Sequence, residues 1–252
     1  MIAIKKDKLD ICVFKSRTEM GIDAASKVSQ KILELLNNQE AVNIVFGAAP
    51  SQDDLLAALR QTDVEWNRIN AFHMDEYVGL DATAPQGFGN FLRDRIFDRL
   101  NFKSVNFLNG NAEDLQEECN RYEKLLIAYP TDIVCMGIGE NTHIAFNDPH
   151  VADFNDDKMV KVVDLDLACR QQQVNDGCFS HIDEVPTHAL TLTVPALFKA
   201  KYAYCVVPGE KKAQAIYHTL NDEISEKHPS TILRRHPHAI LFADEDSTSR
   251  IL

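Results

Sequence analysis

Short apolar runs alternate along the chain with longer stretches whose apolar residues recur every three or four positions. LDICVF, AVNIVFG, RINAFHM, TDIVCMG, HALTLTV, YAYCVVP and HAILFAD read as strands. Several are apolar at nearly every position, as strands covered on both faces of a parallel sheet tend to be. Between them, TEMGIDAASKVSQKILELLNNQ, SQDDLLAALRQ, FGNFLRDRIFDRL, NAEDLQEECNRYEKLLIAY and EKKAQAIYHTLND carry helical spacing. This alternation predicts an α/β fold, a doubly wound and mostly parallel sheet in a three-layer α/β/α sandwich of Rossmann-like type. Ser51 with Asp54, and Asn111 with Asp114, predict helix caps. No repeat, low-complexity tract or linker breaks the pattern, so residues 1–252 are expected to form one domain.

Charge changes the picture by exclusion. Twenty-six basic residues against 38 acidic ones give a formal charge of -12, spread along the chain, which argues against nucleic acid and anionic membrane surfaces as partners. An anionic ligand therefore needs a local basic pocket. The opening MIAIKKDKLDICVF leads straight into a strand and resembles neither a signal peptide nor a membrane span, so a cytoplasmic protein is expected. Six cysteines form no C-x-x-C pair, and most lie inside apolar runs, as buried free thiols do.

In a doubly wound sheet, ligands gather outside the carboxyl ends of the strands. Three segments place reactive residues there: Gly47, Ala48 and Ser51 in GAAPSQ, Asp75 and Glu76 in MDEY, and Asn141, His143 and Asp148 in GENTHIAFND. Asp75 can take a proton from carbon beside a carbonyl if burial lifts its pKa, or it can simply cap a turn. His143 can move a proton near neutral pH, or it can be a core histidine satisfied by backbone. The GAAPSQ loop, between a strand and a helix start, suits a phosphate through its backbone N–H groups, although it is neither a P-loop nor G-x-G-x-x-G. Arg170 and Lys212 can complete a phosphate clamp or remain solvated charges. His236 and His238 in HPHA lack partners at ligand spacing; a helix stop before the last strand is expected there, and no metal is assigned.

Taken together, MDEYVGL, GIGENTHIAFNDP and VPTHALTLTV, with NFLNGNAEDLQEECNRYEKLL between the first two, resemble the glucosamine-6-phosphate deaminase/isomerase family over nearly the whole chain. The resemblance implies a cofactor-free enzyme that opens the sugar ring, shifts a proton from C2 to C1 and releases ammonia, leaving fructose 6-phosphate. It implies that Asp75 carries the proton, that His143 assists ring opening with Asn141 and Asp148 beside it, and that Arg170 and Lys212 hold the phosphate. Glu76, Gly47, Ala48 and Ser51 are expected to line the substrate. A homo-oligomer is neither required nor excluded.

Three departures stand out. Asn141 replaces the aspartate of the family's G-x-D-G-H loop and Thr142 its second glycine; Asp148 replaces a glutamate; GAAPSQ replaces a glycine-rich phosphate loop. These leave open an isomerase or deaminase of a different sugar phosphate. A 6-phosphogluconolactonase would carry D-E-R and G-H-T-A-S where this chain has DEYVGL and THIAFN, and a sugar-phosphate sensor would have a helix-turn-helix ahead of the first strand.

Overall fold

The computed structural model describes residues 1–251. The apolar runs become strands β1 (Ile2–Lys6), β2 (Leu9–Phe14), β3 (Val42–Phe46), β4 (Ile69–His73), β5 (Asp75–Tyr77), β6 (Ser104–Asn106), β7 (Ile133–Met136), β8 (Val160–Asp164), β9 (His188–Leu192), β10 (Tyr202–Val207) and β11 (Ala239–Asp244). Eight of them form one sheet in the order β1-β2-β11-β10-β7-β3-β4-β6. Only the β1–β2 edge is antiparallel; the other pairings are parallel. Alternate residues of a strand face opposite sides, so Ile44, Phe46, Ile133 and Cys135 enter one core layer while Val45, Val134 and Met136 enter the other. Both faces are thus covered, which is why the strands read as unbroken apolar runs.

Helices α1 (Arg17–Leu36), α2 (Asp53–Leu59), α3 (Phe88–Leu92), α4 (Leu115–Ala128), α5 (Leu167–Asn175), α6 (Val194–Phe198) and α7 (Ala213–Asn221) connect the strands. In α1, the Ser16 hydroxyl accepts from Glu19 N, and Met20, Ala24, Val28, Ile32 and Leu36 form the buried stripe. The two predicted caps fall elsewhere. Ser51 caps nothing, because a 3-10 turn over Pro50–Gln52 runs directly into α2. Asp114 is itself the cap of α4, accepting from Gln116 and Glu117 N, while Asn111 donates to Leu80 O. HPHA does end a helical turn ahead of β11, and both His236 nitrogens are spent on backbone, Nε2 on Ala200 O and Nδ1 on His238 N.

HALTLTV does not enter the main sheet. It becomes β9, flanked antiparallel by β5 and β8 in a separate three-stranded sheet. After β3 the chain builds outward to β4 and β6, then returns to place β7 on the other side of β3. Two loops diverge at that reversal, so the crevice between the carboxyl ends of β3 and β7 is where a ligand site is expected.

Candidate active site

A cavity of about 60 Å³ opens at that crevice, lined by Gly47, Ala48, Ser51, Asp75, His143 and Lys212 among others. An adjoining chamber of about 380 Å³ shares Ala48, Ala49, Phe88 and Gln173 with it. The inner space alone falls short of the roughly 300–1,000 Å³ of small-molecule sites, and with the chamber the two reach that range.

Asp75 is the first residue of β5, in register with Thr191 of β9. It is 5% exposed, and no side chain or N–H of the described residues bonds its carboxylate. Burial, with the charge of Glu76 beside it, lifts its pKa well above the ordinary carboxylate range. The result is an unpartnered carboxyl of raised pKa that lines the cavity.

The loop after β7 presents His143. Its Nδ1 lies 2.7 Å from Asn141 Oδ1 and 3.1 Å from Asp148 Oδ1. Asn141 Nδ2 donates to Asp148 Oδ1 at 2.9 Å and to Asp166 Oδ2 at 3.1 Å, which orients the amide with its oxygen toward the imidazole. Both neighbours of Nδ1 are then acceptors, so Nδ1 carries the hydrogen and Nε2 is free to exchange a proton with a ligand. Asp148 is completely buried; burial alone would raise its pKa, but the hydrogen bond and charge of His143, with the Asn141 amide and Asp166 N–H, hold it below the usual range.

The loop is fixed by strained and bolted backbone. Thr142 and Ala145 have φ of 71° and 48°, a region costly for residues with a Cβ. Ser230 N donates to Thr142 O, and Asn147 Nδ2 donates to Ile144 O and Leu192 O. Phe146 N donates to the Thr191 hydroxyl, so the register partner of Asp75 also holds the histidine loop. A Cβ on Gly139 would collide with the His143 ring, which explains glycine there.

Lys212 is 6% exposed at the start of α7, and burial pushes its pKa down. No acceptor among the described residues hydrogen-bonds its Nζ, which leaves the ammonium to the cavity. Two expected substrate contacts do not reach it. Arg170 turns to the other side of α5, where its guanidinium donates to Ile182 O and Val185 O. Glu76 accepts from Tyr77, Phe88 and Gly89 N and is consumed in seating α3. In their place α5 offers Gln172 and Gln173, and the loop after β3 offers Gln52. The QQQ run after Arg170 was the one local sign of this. Asp166 was likewise missed; it caps α5 at Cys169 N and reaches Asn141 from 25 residues away.

Three clusters bring ligand atoms close enough for a metal, and in one of them, Asp148, His150 and Asp166, both carboxylates already accept from Asn141 Nδ2. In His143, Asp148 and Cys169 the first two are committed to each other. In His218, Asp222 and His228 the imidazoles stack face to face, 4.2 Å apart and 8° from parallel, so their in-plane lone pairs do not converge. No helix of the described residues is long and apolar enough to cross a membrane.

A family model described as glucosamine-6-phosphate isomerases/6-phosphogluconolactonase matches residues 15–242. Glucosamine-6-phosphate deaminases of Bacillus cereus and Bacillus cytotoxicus are 35% and 34% identical over 241 residues, spanning 96% of this chain and 88% of theirs. A solved monomeric glucosamine-6-phosphate deaminase superposes with a TM-score of 0.87 at 28% identity, over 95% of this chain and 98% of that one. The 6-phosphogluconolactonase of Trypanosoma cruzi superposes at 0.78 with 16% identity, over 100% and 99% of the two chains, a likeness of fold.

Proposed function

The chain belongs to the glucosamine-6-phosphate isomerase/6-phosphogluconolactonase family, and we infer that it converts glucosamine 6-phosphate and water into fructose 6-phosphate and ammonia. The observation that carries this reading is the pairing in one cavity of an unpartnered carboxyl of raised pKa at Asp75 with a free Nε2 on His143.

His143 takes the proton of the O1 hydroxyl and returns one to the ring oxygen, opening the pyranose to the aldehyde. Asn141 and Asp148 hold its Nδ1–H and steady the imidazolium that forms between these transfers. Asp75 then removes the C2 proton as the electron pair moves toward O1; O1 takes a proton that the amino group gives up through His143, and Asp75 delivers its own proton to C1. Carbon 2 is left as an imine. Water adds to it, ammonia leaves, and the ketone remains. Asp75 acts from its ionised form: a carboxylate of raised pKa is the stronger base toward C2, and once protonated it returns the proton to C1 or exchanges it with solvent.

Lys212 supplies a cation for the phosphate, with the Ser51 hydroxyl and the loop at Ala48 and Ala49 beside it. We also propose that the protein works in the cytoplasm, a reading that its six free thiols support.

The test is release of ammonia and fructose 6-phosphate from glucosamine 6-phosphate, with the N-acetylated and mannosamine analogues alongside. Asp75→Asn should abolish exchange of the C2 hydrogen with solvent while leaving ligand binding intact. Turnover retained by that variant, or no ammonia from any amino sugar phosphate with the parent enzyme, would refute the assignment.

A further inference from the structure

Thr142 sits between Asn141 and His143, the two residues whose side chains meet at the imidazole Nδ1. Its φ of 71° lies in the left-handed region, where a β-branched side chain is strained, and the residue is 1% exposed. A conformation of that kind persists only where its surroundings hold it. Two groups from the far end of the chain do so. Ser230 N donates to Thr142 O at 3.0 Å. Thr142 Oγ1, which can donate to Asn141 O, also lies 3.4 Å from His228 Nδ1. Neither Thr142 nor His228 lines the cavity.

His228 is itself fixed by partners. Asp222 Oδ2 lies 3.0 Å from His228 Nε2 and 2.7 Å from His218 Nδ1, with the two rings stacked. A carboxylate oxygen accepts, so both of these nitrogens carry hydrogens. Gln214 Nε2 donates to His218 Nε2 at 2.7 Å, which leaves that imidazole neutral. Burial, with His218 and Lys227, pushes the pKa of His228 down against the pull of Asp222. Neutral His228 therefore turns a lone pair at Nδ1 toward the Thr142 hydroxyl. The backbone around it is bolted without the imidazole: His228 N donates to Ser225 O at 3.1 Å, and the Thr231 hydroxyl accepts from Ser225 N at 3.1 Å and donates to His228 O at 2.6 Å.

We propose that His228 is a positioning residue for His143: through the Thr142 hydroxyl it holds the left-handed turn that sets Asn141 Oδ1 against the imidazole Nδ1. Within the deaminase reading, on which the choice of step rests, the step it serves is ring opening. The contact from His228 to the loop does not depend on that reading. Glycine adopts a positive φ without strain, so His228 matters to His143 only while a residue with a Cβ and a hydroxyl stands at position 142.

The experiment is a double-mutant cycle between His228→Phe, which keeps an aromatic ring against His218 and loses both nitrogens, and Thr142→Gly. It is read as kcat and KM for ammonia release from glucosamine 6-phosphate and, without turnover, as the Cε1–H resonance of His143, assigned by its absence in His143→Gln. With threonine at 142, His228→Phe should lower kcat by about 5-fold, the scale of one lost hydrogen bond, move KM by less than about 2-fold and shift the resonance. With glycine at 142, the same substitution should change kcat by less than about 2-fold and leave the resonance in place. Thr142→Val, which keeps the branched side chain and loses the hydroxyl, should reproduce the loss of rate and the shift, and Thr142→Ser should keep the parent values. An unmoved resonance in His228→Phe, or an equal shift in both backgrounds, overturns the proposal. If His228→Phe does not fold, the valine and serine variants decide: the same resonance and the same kcat in both refute it. Failure of the deaminase reading shows separately, as no ammonia from the parent enzyme while the resonances still report the coupling.

Discussion

Asn141→Asp tests the network behind His143. In the parent, the amide nitrogen donates to two carboxylates, Asp148 at 2.9 Å and Asp166 at 3.1 Å. A carboxylate at position 141 loses both bonds and sets oxygen against oxygen on each side. Hydrogen bonds to charged groups contribute about 1.5–3 kcal/mol each, so loss of the pair is worth about 3–6 kcal/mol. Asp166 is only half-buried, which favours the lower part of that range. At about 2–4 °C per kcal/mol for a chain of this size, Tm should fall by about 10 °C at pH 8. The deficit has a direction in pH. A carboxyl wedged between two others keeps its proton to a higher pH when folded than when unfolded, and a raised folded-state pKa means stability present at acid pH and lost as pH rises. Thermal unfolding of parent and variant should therefore nearly coincide toward pH 4 and separate as pH rises above the ordinary carboxylate pKa of about 4. Adding Asp166→Asn should restore more than half of the loss, since the amide is returned to the network and Asn caps a helix as well as Asp. Equal Tm values at pH 8, or a deficit that grows toward acid pH, would refute the bridging role of Asn141.

Gly139→Ala should displace the His143 ring and lower kcat by about 100-fold or more, the scale of an ångström's misplacement, with a folded far-UV spectrum; unchanged kcat would show that the ring is not held there. Arg170→Met should behave as a stability variant, losing about 2–4 kcal/mol in urea unfolding from its bonds to Ile182 O and Val185 O while KM for the sugar phosphate moves less than about 3-fold; a large rise in KM at unchanged stability would return Arg170 to the phosphate. Because the pKa of Asp75 is raised in the folded protein, its ionisation costs stability as pH rises, so Asp75→Asn should be more stable than the parent in alkaline solution and equal to it in acid. A variant less stable at every pH would mean that the carboxylate has a structural partner.

The sequence alone carried what depends on near neighbours. The period of apolar residues marked seven of the strands and the helices α1, α2, α3, α4 and α7, but not α5, because burial on both faces leaves unbroken apolar runs, and the position of Asp75 and His143 just beyond two of those runs was enough to send them to the carboxyl edge of the sheet. Strands of three residues such as β5, and the edge strand β1 with its exposed face, carry too little apolar pattern to be read that way.

Tertiary structure decided what depends on partners distant in the chain. Arg170 and Gln173 lie three residues apart on one helix, and only the docking of that helix determines that the amide meets the cavity and the guanidinium meets the 182–185 turn. The anion counted as missing at position 141 is supplied at 166, one amide away, by a residue whose local signature is that of a helix cap. The unpartnered oxygen of Gln52 exists because Val206 and Ser51 take its nitrogen. Hydrogen-bond satisfaction is settled across strands and loops brought together by the sheet order, and nothing in a local stretch of sequence encodes which partners those will be.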